Sequence, residues 1–201
     1  MGRRMILTAL VLAMAMASNL IENLDAQSLL LRIRKEDSHV GFSIYKWAVF
    51  KEEGRFKDFD GTIEFDPQRP AATKVEIVIN TSSIDSRNED RDSALRSEEF
   101  FHVRRYPTMR FKSVGIRSVV RDTMAVEGDL TIRGITKRIT LPVRIAGVNK
   151  AGGRLGTLVG FESEFTINRE DFDVGEGWSI IDKEARIHLL VGAGTQTTAS
   201  R

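Results

Sequence analysis

VEGDLTIRGITKRITLPVRI, residues Val126 to Ile145, is the stretch whose reading decides the fold. Val126, Gly128, Leu130 and Ile132 share one parity, and Glu127, Asp129 and Arg133 hold the other. Past Arg133-Gly134 the alternation returns, with Ile139, Leu141, Val143 and Ile145 set against Thr140 and Arg144. A period of two is that of a β-strand whose side chains point alternately to opposite faces, and here one face is apolar and the other belongs in water. Arg133-Gly134 reads as a tight reversal, so the two runs are antiparallel neighbours.

Working outward, the same pattern recurs along the chain. Val40, Phe42 and Ile44, then Gly61, Ile63 and Phe65, then Val75, Ile77 and Ile79, then Met109 and Phe111 alternate on the N-terminal side. Val159, Phe161, Phe165 and Ile167, then Ala185, Ile187, Leu189 and Val191 follow on the C-terminal side. Turn residues at Asp66-Pro67 with Pro70, at Gly147 to Gly153 and at Gly175-Glu176-Gly177 separate the runs. Connections this short favour an up-and-down meander, and a sheet with one apolar side must close or be covered. Closing about eight such strands gives an all-β, up-and-down antiparallel barrel able to hold one small ligand. A two-layer sandwich satisfies the alternation equally but needs longer crossovers, so the barrel is the expected closure.

The termini frame this domain. Met1 to Arg4 carries two positive charges and Met5 to Ala17 carries none, which is the layout of a secretory signal peptide over residues 1–26, with Ala26 before Gln27 as the preferred cleavage point and Ala17 as the other. The apolar run is shorter than the roughly 20 residues a spanning helix needs, so no transmembrane span is expected in the mature chain. The barrel is assigned to residues 27–192, residues 193–201 read as a flexible tail, and the location implied is periplasmic or secreted. Formal net charge is +2 with both signs interspersed, which gives no footprint for nucleic acid. The chain has no cysteine, which excludes disulfides, thiolate metal sites and thiol nucleophiles. Nothing fixes the oligomeric state, so monomer and homodimer both stay open.

One segment breaks the alternation. From Asn88 to Phe101 charges crowd together, with Leu95 and Phe100-Phe101 as the apolar members. It reads as one or two short helices, the first capped by Asn88 and the second starting at Ser97 with Glu98-Glu99. Such an insert is expected across a barrel mouth with Leu95, Phe100 and Phe101 turned inward, as a sealing plug or as a ligand gate.

The motifs then fall into a recognisable order. Val40-Gly41-Phe42-Ser43-Ile44 is followed by Gly54-Arg55-Phe56, Phe59-Asp60-Gly61-Thr62-Ile63, Ser83-Ile84-Asp85, Asn88, Arg91-Asp92 and Leu95-Arg96-Ser97. Phe100-Phe101, Tyr106-Pro107, Phe111-Lys112-Ser113, Gly128 to Gly134, Ile167-Asn168-Arg169 and Asp171-Phe172 complete the series. Over about residues 36 to 192 the chain resembles the YceI-like polyisoprenoid-binding family. The resemblance implies a lipocalin-like barrel that binds, stores or transports a polyisoprenoid or quinone-like lipid in its interior, without catalysis and without a cofactor. Many members carry histidine where this chain has Asp37, Lys46 and Ala94, and place glycine where it has Asp173. A polar head-group contact through those histidines therefore loses its support, whereas tail binding needs only an apolar lining.

On parity and resemblance together, the expected lining is Phe42, Ile44, Phe65, Ile77, Leu95, Phe100, Phe101, Met109, Phe111, Leu130, Ile132, Phe161, Phe165 and Ile187. Gly61 and Gly128 share the inward parity and leave room for a chain or a bend. Arg91, Asp92, Asn168 and Arg169 are the candidate polar rim: an arginine fork suits phosphate or carbonyl oxygens, but the same groups can instead pair among themselves to hold the insert and a sheet corner. The bland alternative for the aromatics is a filled core, with an envelope barrel acting through its surface on a protein partner. Catalytic and metal readings find little purchase. His39 and His188 have outward parity, where closure would make them cross-strand neighbours, His102 lies in a loop, and no metal-binding spacing or Gly-x-Ser-x-Gly elbow occurs.

Overall fold

The computed structural model describes residues 28–150 and 156–195. The expected signal peptide and the end of the tail lie outside these residues. Eleven strands form one sheet: β1 (Leu29–Ile33), β2 (His39–Lys46), β3 (Phe50–Phe56), β4 (Phe59–Phe65), β5 (Lys74–Asn80), β6 (Ile84–Asp85), β7 (Thr108–Val120), β8 (Thr123–Ile132), β9 (Ile135–Lys150), β10 (Thr157–Asn168) and β11 (Glu184–Thr195). All pairings are antiparallel, and β1 closes the sheet by pairing with β11.

The strand count resolves into a closed eight-strand barrel. β1 and β2 are two halves of one wall strand, since both lie along β11, with Ile33 opposite Ala193 and Phe42 opposite Ile187. The 3-10 turn Lys35–Asp37 breaks them, and a bend at Lys57-Asp58 breaks β3 from β4 in the same way. Six unbroken walls complete the meander, with β6 as a short addition to β3.

The tight reversal expected at Arg133-Gly134 is present, with both residues at positive φ (49° and 76°) between the paired Ile132 and Ile135. Gly147, expected in a turn, instead sits inside β9 opposite Gly160; it is simply a strand residue, because β9 runs on to Lys150 before reversing. The last wall runs to Thr195 rather than ending at 192. Ala193 is fully buried where β11 meets β1, so the proposed tail begins inside the closing seam.

Between β6 and β7 lies one α-helix, α1 (Glu89–Arg96). The Asn88 side chain accepts the Arg91 backbone N–H at 2.9 Å, and Glu89, Asp90 and Asp92 occupy the first turn, where the helix dipole favours them. Ser97 does not open a second helix. It is the C-cap of α1, and Phe101 N–H donates back to the Leu95 carbonyl, which turns the chain inward. Phe100 ends 5% exposed, and Leu95 and Phe101 pack on the core, as the inward reading of this insert requires.

Packing is uneven along the barrel. At one end Leu31, Phe65, Val159 and Ala193 are almost wholly buried, and the Phe65 and Phe161 rings meet edge to face at 5.5 Å. This end is a solid floor. The outer wall is laced by cross-strand pairs such as Lys74–Glu64 and Arg138–Asp129, each worth only a few tenths of a kcal/mol at an exposed site. Among the described residues no helix is long and apolar enough to cross a membrane.

Candidate functional site

Above the floor the barrel is hollow. A cavity of about 540 Å³ runs through it, within the 300–1,000 Å³ usual for small-molecule sites. Its walls carry the apolar parity of each strand: Phe42 and Ile44 from β2, Ile77 from β5, Met109 and Phe111 from β7, Leu130 and Ile132 from β8, Phe161 and Phe165 from β10, and Ile187 from β11. Leu95, Phe100 and Phe101 form its cover. Of the apolar residues expected from sequence, Phe65 alone stands apart. Its parity is inward, but it lies in the floor against Phe161, below the hollow. Parity gives the face of a strand and not the height along the barrel axis. The space at Gly128 and Gly61 is likewise not free, since a Cβ at Gly128 would stand 2.4 Å from the Phe111 ring and one at Gly61 would stand 2.4 Å from the Glu76 carbonyl.

The cavity reaches solvent between the β2–β3 hairpin, the start of α1 and the loop 175–181. Part of its polar lining gathers there, Lys46, Glu52, Ser86, Asn88 and Arg91, beside Trp178 and Ile180. Arg91 organises this mouth. Its Nε donates to Ser86 Oγ at 2.9 Å, one Nη donates to the Ser86 carbonyl at 2.7 Å, and the other reaches the Glu52 carboxylate on β3. One arginine thus ties the helical cover to β3, the wall strand that β6 pairs with.

The other polar candidates are structural. Asp92 is buried behind the mouth, accepting the Ser86 backbone N–H at 2.8 Å and its hydroxyl at 2.5 Å. Asn168 accepts the Glu170 N–H at 3.0 Å and caps the 3-10 turn Arg169–Phe172. Arg169, 5% exposed, spends its fork on backbone: Nε donates to the Asp182 carbonyl, Nη1 to those of Val174 and Gly175, and Nη2 to those of Trp178 and Ile181. A guanidinium has five N–H groups, so none is left for a head group. Burial lowers its pKa from the ordinary arginine value while Glu170 opposes the shift. The turn ends at Asp173, which takes the left-handed conformation (φ 55°) that favours glycine and that aspartate tolerates better than most residues.

Lys46 and Ala94, at two of the missing-histidine places, both line the cavity, whereas Asp37 lies away from it and pairs with Arg34 at 3.0 Å. Near the lumen, Thr73 Oγ1 is buried without a hydrogen-bond partner, a small polar spot in a mostly apolar lining. On the outer wall His188 lies opposite Gly41 and His39 opposite Leu190, so the two histidines are offset along the seam rather than directly paired. His188 Nε2 sits 3.3 Å from Ser43 Oγ, and its Nδ1 is 3.6 Å from Glu164. Among the described residues no group of three histidine, aspartate or glutamate side chains is placed to hold a metal. Sequence reasoning missed Glu52, Ser86, Trp178 and Ile180. None belongs to an alternating run that would have assigned it inward.

Comparison with known proteins adds to this geometry. The model of the YceI-like domain family matches residues 31–193. Protein YceI of Escherichia coli O17:K52:H18 is 39% identical over 151 residues, covering 71% of this chain and 75% of that protein. The crystal structure of Burkholderia cenocepacia BcnA superposes with a TM-score of 0.71 at 27% identity, covering 80% of this chain and 98% of that one. A polyisoprenoid binding domain from Saccharophagus degradans, implicated in plant cell wall breakdown, shares the fold at a TM-score of 0.62 and 14% identity, covering 84% and 99%.

Proposed function

The chain belongs to the YceI-like domain family, and from that premise we propose that its cavity binds a long apolar lipid of the polyisoprenoid class, quinone-like chains included, as a carrier or store without catalysis. The observation that carries this reading is the hollow itself: about 540 Å³ walled almost wholly by aliphatic and aromatic side chains and opening at one end. Burial of apolar surface at about 25 cal/mol per Å² is enough to hold such a chain without a head-group contact, which suits a site whose arginines are engaged by protein. A filled core acting only through its surface fits the floor but not the hollow above it. The similarity in fold to the Saccharophagus degradans domain supports the same ligand class.

The test is native mass spectrometry with lipid uptake. A polyprenyl adduct is expected on purified protein, and Phe161→Leu and Phe165→Leu, which reshape the wall while keeping it apolar, are expected to stay folded and weaken uptake about tenfold. A ligand-free mass with no uptake of added polyprenyl lipid by wild type overturns the proposal. Export to the periplasm or beyond belongs to the same reading, supported by the charged start and apolar run of residues 1–17. A mature N-terminus near Gln27 is expected, and an intact Met1 in the cytosolic fraction would count against export.

A further inference from the structure

The cavity mouth is rimmed by apolar side chains that none of the described residues covers. Trp47, Val49 and Phe50 at the β2–β3 hairpin are 58%, 71% and 58% exposed, and Trp178 and Ile180 on the facing loop are 39% and 37% exposed. The chain has two tryptophans, and both stand here. They form one lip, since Trp47 N–H donates to the Ile180 carbonyl at 2.8 Å and Lys46 bridges to Ile181. Trp47 and Phe50 meet edge to face at 6.1 Å, and the Lys46 ammonium stands 4.4 Å from the Trp47 ring centre.

The backbone of the hairpin sharpens the point. Val49 N–H donates to the Lys46 carbonyl at 3.2 Å, which puts Trp47 and Ala48 at the centre of the turn, both at positive φ (51° and 56°). Asparagine-glycine is the pair that adopts this geometry readily, and a bulky tryptophan there works against the turn. The local rule is broken at an exposed aromatic residue, and such breaches concentrate at functional positions.

We propose that this lip docks on a lipid bilayer, inserting Trp47, Val49 and Phe50 into its interface so that the mouth opens onto the membrane. The inference rests on the lipid-binding reading above. Tryptophan with lysine beside it is the composition of the membrane–water interface, where the ring sits at head-group depth and the ammonium stays in water. The occupant is fixed by continuity with the cavity: Trp178 and Ile180 line the lumen and are exposed at once, so whatever covers the lip also covers the opening and must supply the ligand. A second copy seated there would seal the mouth. The carboxylates beside the lip do not oppose contact with a bilayer, because Glu52 is paired with Arg91, and Glu53 with Lys51 at 2.7 Å and Arg87 at 3.6 Å.

Flotation with phosphatidylcholine vesicles tests this, comparing wild type with Trp47→Asn/Ala48→Gly/Phe50→Ser, none of which lines the cavity. Wild type is expected to float with the vesicles at low and high salt, with a blue shift of tryptophan emission. The variant is expected to bind vesicles at least about tenfold more weakly for each aromatic lost, with unchanged or raised thermal stability because its turn is relieved. Uptake of a fluorescent polyprenyl probe from detergent micelles should match wild type, while uptake from vesicles slows. Wild type that stays unbound, a variant that floats equally well, binding abolished by salt, or an emission shift that follows protein concentration without vesicles, as a second copy would produce, each overturns the proposal. Failure of both proteins to take up probe from micelles while wild type still floats places the fault in the cavity reading instead.

Discussion

Replacing Arg169 by lysine removes two of the five donors that hold the loop 174–182 in place. Each of the five N–H groups meets a backbone carbonyl, from Val174, Gly175, Trp178, Ile181 and Asp182, in a site that is 5% exposed. Lysine brings three donors on a flexible stem, so at least two carbonyls lose their contact with the cation. A hydrogen bond to a charged group contributes about 1.5–3 kcal/mol, so the loss of two gives about 3–6 kcal/mol against a total stability of roughly 5–15 kcal/mol. Methionine fills the space but leaves the Val174, Ile181 and Asp182 carbonyls unmet, the Gly175 and Trp178 carbonyls keeping the Trp178 and Ile181 N–H groups, and should cost more than lysine. The assay is urea denaturation followed by tryptophan emission, which reads Trp178 inside the loop, with circular dichroism for the strands. The expected order of stability is arginine, then lysine, then methionine. A lysine variant within about 1 kcal/mol of wild type, or a methionine variant more stable than the lysine one, would show that relief of the buried charge outweighs the carbonyl contacts and refute the reasoning.

Two further outcomes follow from the surface and the cover. Asp58, held by Lys35 and Asn80, and Glu76, held by Arg110, have pKa values lowered from 3.8 and 4.5, as has Asp85 through the Arg87 N–H and Arg55. A lowered carboxylate pKa stabilises the fold above its unfolded value and ceases to do so as pH falls through the folded value, so Tm scanned against pH should hold above about pH 5 and drop below about pH 4; no drop by pH 3 would refute this. Hydrogen exchange should show protection between Asn88 and Phe101 rising on lipid loading more than in the walls, since the Arg91–Glu52 pair ties α1 to β3 at the rim of the mouth; lipid uptake with unaltered exchange there makes the insert a plug.

Much of this architecture was legible because burial leaves a period. Where a strand buries one face along most of its length, as β8 and β10 do, alternation gives the strand, its inward parity and the cavity wall in one step. The insert was legible as the place where the period stops, and Asn88 as its cap by residue type. β1 was not, because Leu29-Leu30-Leu31 runs apolar without alternating, although Leu30 is 60% exposed and Leu31 fully buried. β3 was not, because Lys51-Glu52-Glu53 puts charge on both faces near the open mouth, where neither face is dry. The height of Phe65 and the inward reach of Glu52 depend on where each strand sits along the barrel axis, which pairing register sets and periodicity does not.

The lip around Trp47 escaped for a different reason. A pattern of apolar and polar residues records what the chain buries against itself, so a side chain whose partner lies outside the chain leaves no period behind. What remains is a set of local contradictions: an exposed Trp47 and Ala48 in a turn that asks for asparagine and glycine, an exposed Phe50 in a charged strand, and Ile180 facing both solvent and lumen. Taken one at a time, an exposed apolar side chain is ordinary. They converge only when closure of the barrel brings the hairpin beside the loop 175–181. The position of that convergence at the cavity opening, rather than the exposure of any one residue, is what gives the lip a function.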